Sequence, residues 1–203
     1  MSDVENPRVF IDTNVIVYTY DDDAPVKRDE ARRIIKDAFI NNTGVVSGQV
    51  LGETYVTLTK KIGISVNNAL DEIRRYSRFR VVEITSNLVL RAIEIQADFQ
   101  LSYWDSLIIA AAEFASCDTV WSEDLNDGQH YGSVTVRNPF AGLCCRRKSR
   151  TLPTAPAGMM SSSPKSHTYS PFASATHFRK FLSPPMFVSF VHHLRHGFDN
   201  DRR

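Results

Sequence analysis

Cysteine is scarce in this chain, with Cys117, Cys144 and Cys145 the only three among 203 residues. So few thiols build neither a disulfide framework nor the paired spacing of a zinc knuckle, which makes a reducing compartment the expectation. Long apolar runs are missing as well. The N-terminal MSDVENPR is polar where a secretory signal would be apolar, and no run approaches the length needed to cross a bilayer. Together these absences predict a soluble, cytoplasmic protein with no membrane partner. Net charge is also nearly absent, at +1. That balance hides an asymmetry, because residues 1–142 carry 14 Lys and Arg against 21 Asp and Glu (net −7), whereas residues 143–203 carry 10 against 2 (net +8). An acidic globular part is followed by a basic tail. The length suits one α/β domain with a substantial core plus an appendage, and excludes two ordinary domains.

What is present is organised around VFIDTNV, residues 9–15. Val9, Phe10 and Ile11 form a short apolar run of the kind buried on both faces of a parallel sheet, and it stops on Asp12. In open α/β sheets ligands bind beyond the carboxyl ends of the strands, where Asp12 would stand. Asp12, Thr13 and Asn14 would otherwise make an ordinary polar turn. The first strand is expected to run to about Tyr20. Asp21, Asp22, Asp23 and Pro25 mark a helix entry, and Ala31, Ile34, Ile35, Ala38 and Phe39 give that helix its core face.

Val45 and Val46 start a second strand, followed by a helix with Leu51, Tyr55, Leu58 and Ile62 in one stripe and Glu53 off it. A further helix over 64–79 turns Val66, Leu70, Ile73 and Tyr76 or Ser77 inward and places Arg74, Arg75, Arg78 and Arg80 mostly outward, as a solvated basic face. RVVEIT (80–85) alternates like a third strand, and Ser86 caps a helix with Leu90, Ile93 and Ala97 inward. Ser102 caps the apolar helix YWDSLIIAAAEFA, with Asp105 three residues on as in a capping box. Asp105 also shares a face with Ile108, Ile109 and Ala112, which points it inward, where a carboxylate needs a partner. A fourth strand, Asp118 to Ser122, again ends on acids: Glu123, Asp124 and then Asp127. Val134 to Val136 forms a last strand. Strands alternating with helices imply a central parallel sheet flanked by helices, a three-layer α/β fold.

Four acids thus fall at comparable points: Asp12, Glu53, Asp105 and Asp124, each at the carboxyl edge of the sheet or in the helix start beside it. Clustered carboxylates repel unless a cation neutralises them. Oxygen donors without histidine or thiolate select Mg²⁺ or Mn²⁺ over zinc. Such a site suits metal-assisted attack of water on a phosphodiester.

In this order, FIDTNV, VLGE, YWDSLIIAAA and WSEDLNDGQ resemble the PIN-domain ribonucleases, in particular the VapC-type toxins of toxin–antitoxin pairs. The resemblance runs from about Arg8 to Phe140 and leaves out the tail. It implies a PIN-like domain over 7–142 and a Mg²⁺-dependent endoribonuclease acting on RNA, with Asp12, Glu53, Asp105 and Asp124 as catalytic acids and metal ligands. Asn14 and Ser122 become supporting polar groups, and Asp127 an optional further acid. It also implies a homodimer and a small antitoxin protein covering the site. Tyr103, Trp104 and Trp121 stand near enough to stack on RNA bases, although such positions are more often core.

Two other readings compete. A haloacid-dehalogenase-like phosphatase also places an aspartate after its first strand, but it would want a second aspartate where this chain has Asn14. A noncatalytic RNA-binding module on a PIN fold would more cheaply be basic than acidic at its surface. Residues 143–203, rich in Ser, Pro and basic residues without periodicity, read as disordered. They form either a basic arm that attracts RNA or chain with no selected role, such as read-through. The abrupt change at CCRRKSR favours the second.

Overall fold

A computed structural model of the protein describes residues 7–143. The expectations for the tail from Cys144 onward lie outside the described residues. Leu143 itself packs, partly buried, against the core.

Among the described residues, six strands form one sheet: β1 (Val9–Ile11), β2 (Gly44–Ser47), β3 (Arg80–Val82), β4 (Thr119–Trp121), β5 (His130–Tyr131) and β6 (Val134–Arg137). Their order is β3-β2-β1-β4-β6-β5. All neighbouring pairs are parallel except β5 with β6, an antiparallel hairpin that the sequence reading missed because β5 has only two residues. The chain runs outward from β1 through β2 to β3 on one side and resumes with β4 on the other. The carboxyl end of β1 is therefore a topological switch point, the place where open sheets bind ligands.

The helices are α1 (Thr13–Tyr18), α2 (Pro25–Ile40), α3 (Gly48–Thr57), α4 (Val66–Tyr76), α5 (Ser86–Phe99) and α6 (Tyr103–Phe114). The strand expected to run to Tyr20 ends at Ile11, and α1 takes over. Every residue of α1 is buried, so its sequence shows no apolar–polar period to separate helix from strand. Asp12 decides the matter as its N-cap, accepting a hydrogen bond from the Thr13 N–H.

The inward stripes differ from expectation in three helices. In α3, Val50, Thr54 and Thr57 are buried while Tyr55 is exposed. The chain then passes through a π-helical turn, Leu58–Ile62, which ends on Gly63 at φ 80°; the wider turn shifts the helical phase and turns Ile62 outward. In α4, Ala69 and Tyr76 are buried and Val66 and Leu70 exposed. In α5, Leu88, Ala92 and Ile95 face inward, whereas Leu90, Ile93 and Ala97 are exposed, and Thr85 instead of Ser86 caps the helix. Two apolar stripes compete on α5, and packing against α6 selects one of them. The face expected for α2 is largely observed, with Ala31, Ile34, Ile35 and Ala38 buried and Phe39 partly so.

Phe10, Ile11, Val45, Val46 and Val120 fill the sheet core with essentially no exposure. Each such side chain contributes about 1.5–3 kcal/mol by leaving water. Burial on both faces makes these strands stiff supports for the residues that follow them. Among the described residues, no helix is long and apolar enough to cross a membrane.

Candidate active site

Because β1 lies between β2 and β4, the residues after these three strands meet at one edge. Asp12 is the centre of that meeting. Its backbone N–H donates to the Trp121 carbonyl of β4 at 3.0 Å, and its side chain is buried. Oδ1 accepts from the Thr13 N–H at 2.6 Å. Oδ2 accepts from the Ser122 hydroxyl at 2.7 Å and from Asn14 Nδ2, also at 2.7 Å.

Asn14 ties the two acid-bearing loops together. Its Nδ2 also lies 3.1 Å from Asp124 Oδ2 and 3.2 Å from Ser122 Oγ, while its Oδ1 accepts from the Glu123 N–H at 3.4 Å. A primary amide carries two N–H bonds, and the two carboxylate oxygens are the nearer acceptors. With its one proton given to Asp12, Ser122 Oγ accepts from the Asp124 and Leu125 N–H groups at 3.2 and 3.4 Å. This serine shapes the loop after β4 while holding Asp12.

Glu53 joins through neutral donors. Thr13 Oγ1 donates to its Oε2 at 2.9 Å, and Gln49 Nε2 donates to its Oε1 at 2.9 Å. Gln49 lies 3.4 Å from the Trp104 carbonyl as well, linking the head of α3 to the head of α6. Thr13 and Gln49 were missed in the sequence reading. Gln49 stands four residues before Glu53 on one helix face, a spacing that could have revealed it.

Asp105 takes its capping-box position. Its N–H donates to Ser102 Oγ at 3.1 Å and its Oδ2 accepts from the same hydroxyl at 2.8 Å. It is half-buried, and its charge reaches Tyr131, whose phenol is raised first by burial and then by Asp105. Asp127 sits apart from this network, accepting from the Asn138 N–H at 3.0 Å as a loop tie. Tyr103, Trp104 and Trp121 are partly buried against the core. Glu123 pairs with Lys27, which also donates to Tyr18 Oη at 3.1 Å and so fastens the loop after β4 to α2.

The electrostatics of Asp12 follow from this packing. Its carboxyl is pushed up to about 7, with burial the largest cause. The Ser122 hydrogen bond opposes that rise, the charges of Asp124 and then Glu53 add to it, and the Thr13 N–H opposes it. Asp12, Asp124 and Glu53 thus feel one another across the switch point. Their donor chemistry, oxygen only, fits a hard divalent cation. Among the described residues, no three His, Cys, Asp or Glu side chains converge closely enough to hold one ion in this arrangement.

Among known proteins, one family model and several solved structures are similar to the chain. The family model described as the PIN domain matches residues 9–126, and no curated protein matches the chain in sequence. A DNA-bound VapBC of Salmonella typhimurium is 15% identical with a TM-score of 0.50, covering 66% of this chain and 99% of its own. A toxin–antitoxin complex from Klebsiella pneumoniae is 17% identical with a TM-score of 0.48, covering 64% and 97%. A VapC toxin of Mycobacterium tuberculosis that cleaves the sarcin–ricin loop is 22% identical with a TM-score of 0.47, covering 57% and 91%. With 118 residues under the family model and acids gathered at the carboxyl edge of a mostly parallel sheet, the chain belongs to the PIN-domain family.

Proposed function

We propose that this chain is a Mg²⁺-dependent endoribonuclease, with Mn²⁺ as the alternative ion, and the toxin of a toxin–antitoxin pair. The observation that carries the reading is Asp12, a buried carboxyl raised to about 7 by burial and by two neighbouring acids. Acids kept in mutual repulsion destabilise a fold unless something offsets their charge. Asp12, Glu53, Asp105 and Asp124 are the carboxylates that would hold the ion, which would have to draw them closer together than they stand here. When bound, it would stabilise the charge that develops on a phosphodiester and activate the attacking water.

The chain's own groups prepare this site. Asn14 and Ser122 fix Asp12 without adding negative charge, and Asn14 does the same for Asp124. Thr13 and Gln49 engage both oxygens of Glu53 and set its orientation. Ser102 holds Asp105 at the head of α6. Asn14, serving as a donor to two carboxylates, stands where a phosphatase would need a second aspartate. Structural relatives that are toxin–antitoxin assemblies support a small antitoxin as partner, and a homodimer in the cytoplasm is part of the same reading.

Cleavage of RNA by the full chain is expected with Mg²⁺ and lost with EDTA, and Asp12→Asn and Asp105→Asn should abolish it while leaving the fold intact. Full activity in Asp12→Asn, or cleavage undiminished by EDTA, overturns the mechanism. RNA binding without cleavage would instead favour a noncatalytic module. Overexpression should arrest growth, and the Asp12→Asn variant should not. Harmless overexpression of a chain shown to cleave RNA would point to a housekeeping nuclease.

A further inference from the structure

Away from the acids, a cleft of about 660 Å³ opens between α2 and α4. Its charged lining consists of Arg32, Lys36, Arg75 and Arg78 with one acid, Glu72. Arg75 is already committed, lying 3.1 Å from Glu72 and donating to Tyr76 Oη at 3.0 Å. Arg32, Lys36 and Arg78 have no carboxylate within ion-pair distance among the described residues, whereas Lys27, Arg28, Arg33, Arg74 and Arg91 each have at least one. A domain with excess negative charge thus leaves three cations uncompensated in one concavity. Like charges lining a cleft repel one another, and the concave shape focuses their field on whatever anion enters.

Arg32 is prepared for such an anion. Its Nε donates to the Thr19 carbonyl at 2.8 Å, which fixes the guanidinium by one edge and leaves both terminal nitrogens without a hydrogen-bond partner among the described residues. A fork held in this way loses less side-chain entropy when it binds phosphate oxygens. Ile35, Phe39 and Ile40 supply an apolar wall beside the cations, which suits a phosphate carried on a sugar and base better than a bare ion. Thr19 and Tyr20, also in the lining, directly follow α1, whose other end is Asp12. Six helical residues span about 9 Å, so α1 directly connects the lining of the cleft to the acid edge.

We propose that the α2–α4 cleft is a phosphate-binding subsite that grips the RNA backbone beside the acid site, with Arg32, Lys36 and Arg78 as its cations. The proposal rests on the ribonuclease reading for its ligand. Each phosphate contact on a single strand contributes about 0.7 to the slope of log affinity against log salt. In the full chain carrying Asp12→Asn, to keep the RNA intact, binding of a labelled single-stranded RNA is measured by fluorescence anisotropy across a salt series. Adding Arg32→Gln, Lys36→Gln and Arg78→Gln together should flatten the slope by about 2. Lys36→Gln with Arg78→Gln, a pair that removes no hydrogen bond or ion pair among the described residues, should flatten it by about 1.4. Arg74→Gln, whose partner is Asp71, should leave the slope unchanged.

Unchanged affinity and slope in both multiple variants overturn the subsite. If an oligo-glutamate peptide loses binding in those variants while RNA does not, the cleft belongs to an acidic protein segment and the RNA assignment is wrong. The two readings also fail separately. A chain that never cleaves RNA yet loses salt-sensitive RNA binding in these variants keeps the subsite and loses the nuclease. A chain that cleaves RNA with an unaltered slope in the variants keeps the nuclease and loses the subsite.

Discussion

The Asn14 side-chain amide lies 3.1 Å from Asp124 Oδ2, joining the first turn of α1 to the loop after β4 across 110 residues of sequence. The same nitrogen is 2.7 Å from Asp12, so one neutral group spaces two acids. Asn14→Asp would replace that donor by a third carboxylate against two others. Loss of a buried donor costs about 1–3 kcal/mol, and like-charge repulsion adds to it. Urea unfolding of the Asn14→Asp protein in EDTA should show at least this loss, and RNA cleavage should fall sharply. Wild-type stability in that variant would show that the amide does not separate the acids.

The Asp12 carboxyl, raised from 3.8 to about 7, makes metal-free stability depend on pH. Between about pH 4 and pH 7 the folded chain keeps a proton that the unfolded chain releases, so stability falls as pH rises through that window and this contribution levels off above it. At 1.36 kcal/mol per pKa unit the full effect is on the order of 4 kcal/mol. Unfolding curves at pH 4.5, 6 and 7.5 in EDTA, for wild type and Asp12→Asn, isolate it by difference. The variant should gain stability relative to wild type as pH rises. A pH-independent difference would mean that Asp12 ionises in the folded chain as it does in the unfolded one.

Gly44 is pressed against an aromatic stack. An added Cβ would overlap the Phe79 ring, and that ring is itself stacked on Phe39 at a centroid distance of 3.8 Å. The neighbour therefore has no room to yield, and overpacking of this kind costs about 1–3 kcal/mol. Gly44→Ala should lower the unfolding free energy by that amount, and pairing it with Phe79→Leu should recover part of the loss.

Burial pushes the Cys117 thiol up to about 12, and the side chain is 3% exposed. Thiolate is the reactive form, so alkylation of the native protein at pH 8 followed by peptide mapping should leave Cys117 unmodified until denaturant is added. Rapid labelling under native conditions would show that the end of α6 opens locally.

Much of the site was legible in the sequence because it rests on local rules. An apolar run ending on an aspartate, a serine three residues before Asp105 and a strand ending in Ser122, Glu123 and Asp124 each announce a strand end or a helix cap from neighbouring residues alone. Parallel topology then sends those ends to one edge. The sequence could not show that Ser122 donates to Asp12 or that Asn14 bridges to Asp124, since both bonds cross more than 100 residues and depend on β1 lying beside β4. Nor could it choose the inward face of α5, where Leu88, Ala92 and Ile95 compete with Leu90, Ile93 and Ala97 on equal apolar terms until α6 packs against one set. It also read α1 as strand, because a segment buried on every side loses the periodicity from which conformation is inferred. Local sequence determined which residues end strands and begin helices, while tertiary packing decided which of them touch, because contact between distant segments depends on strand order and helix phase.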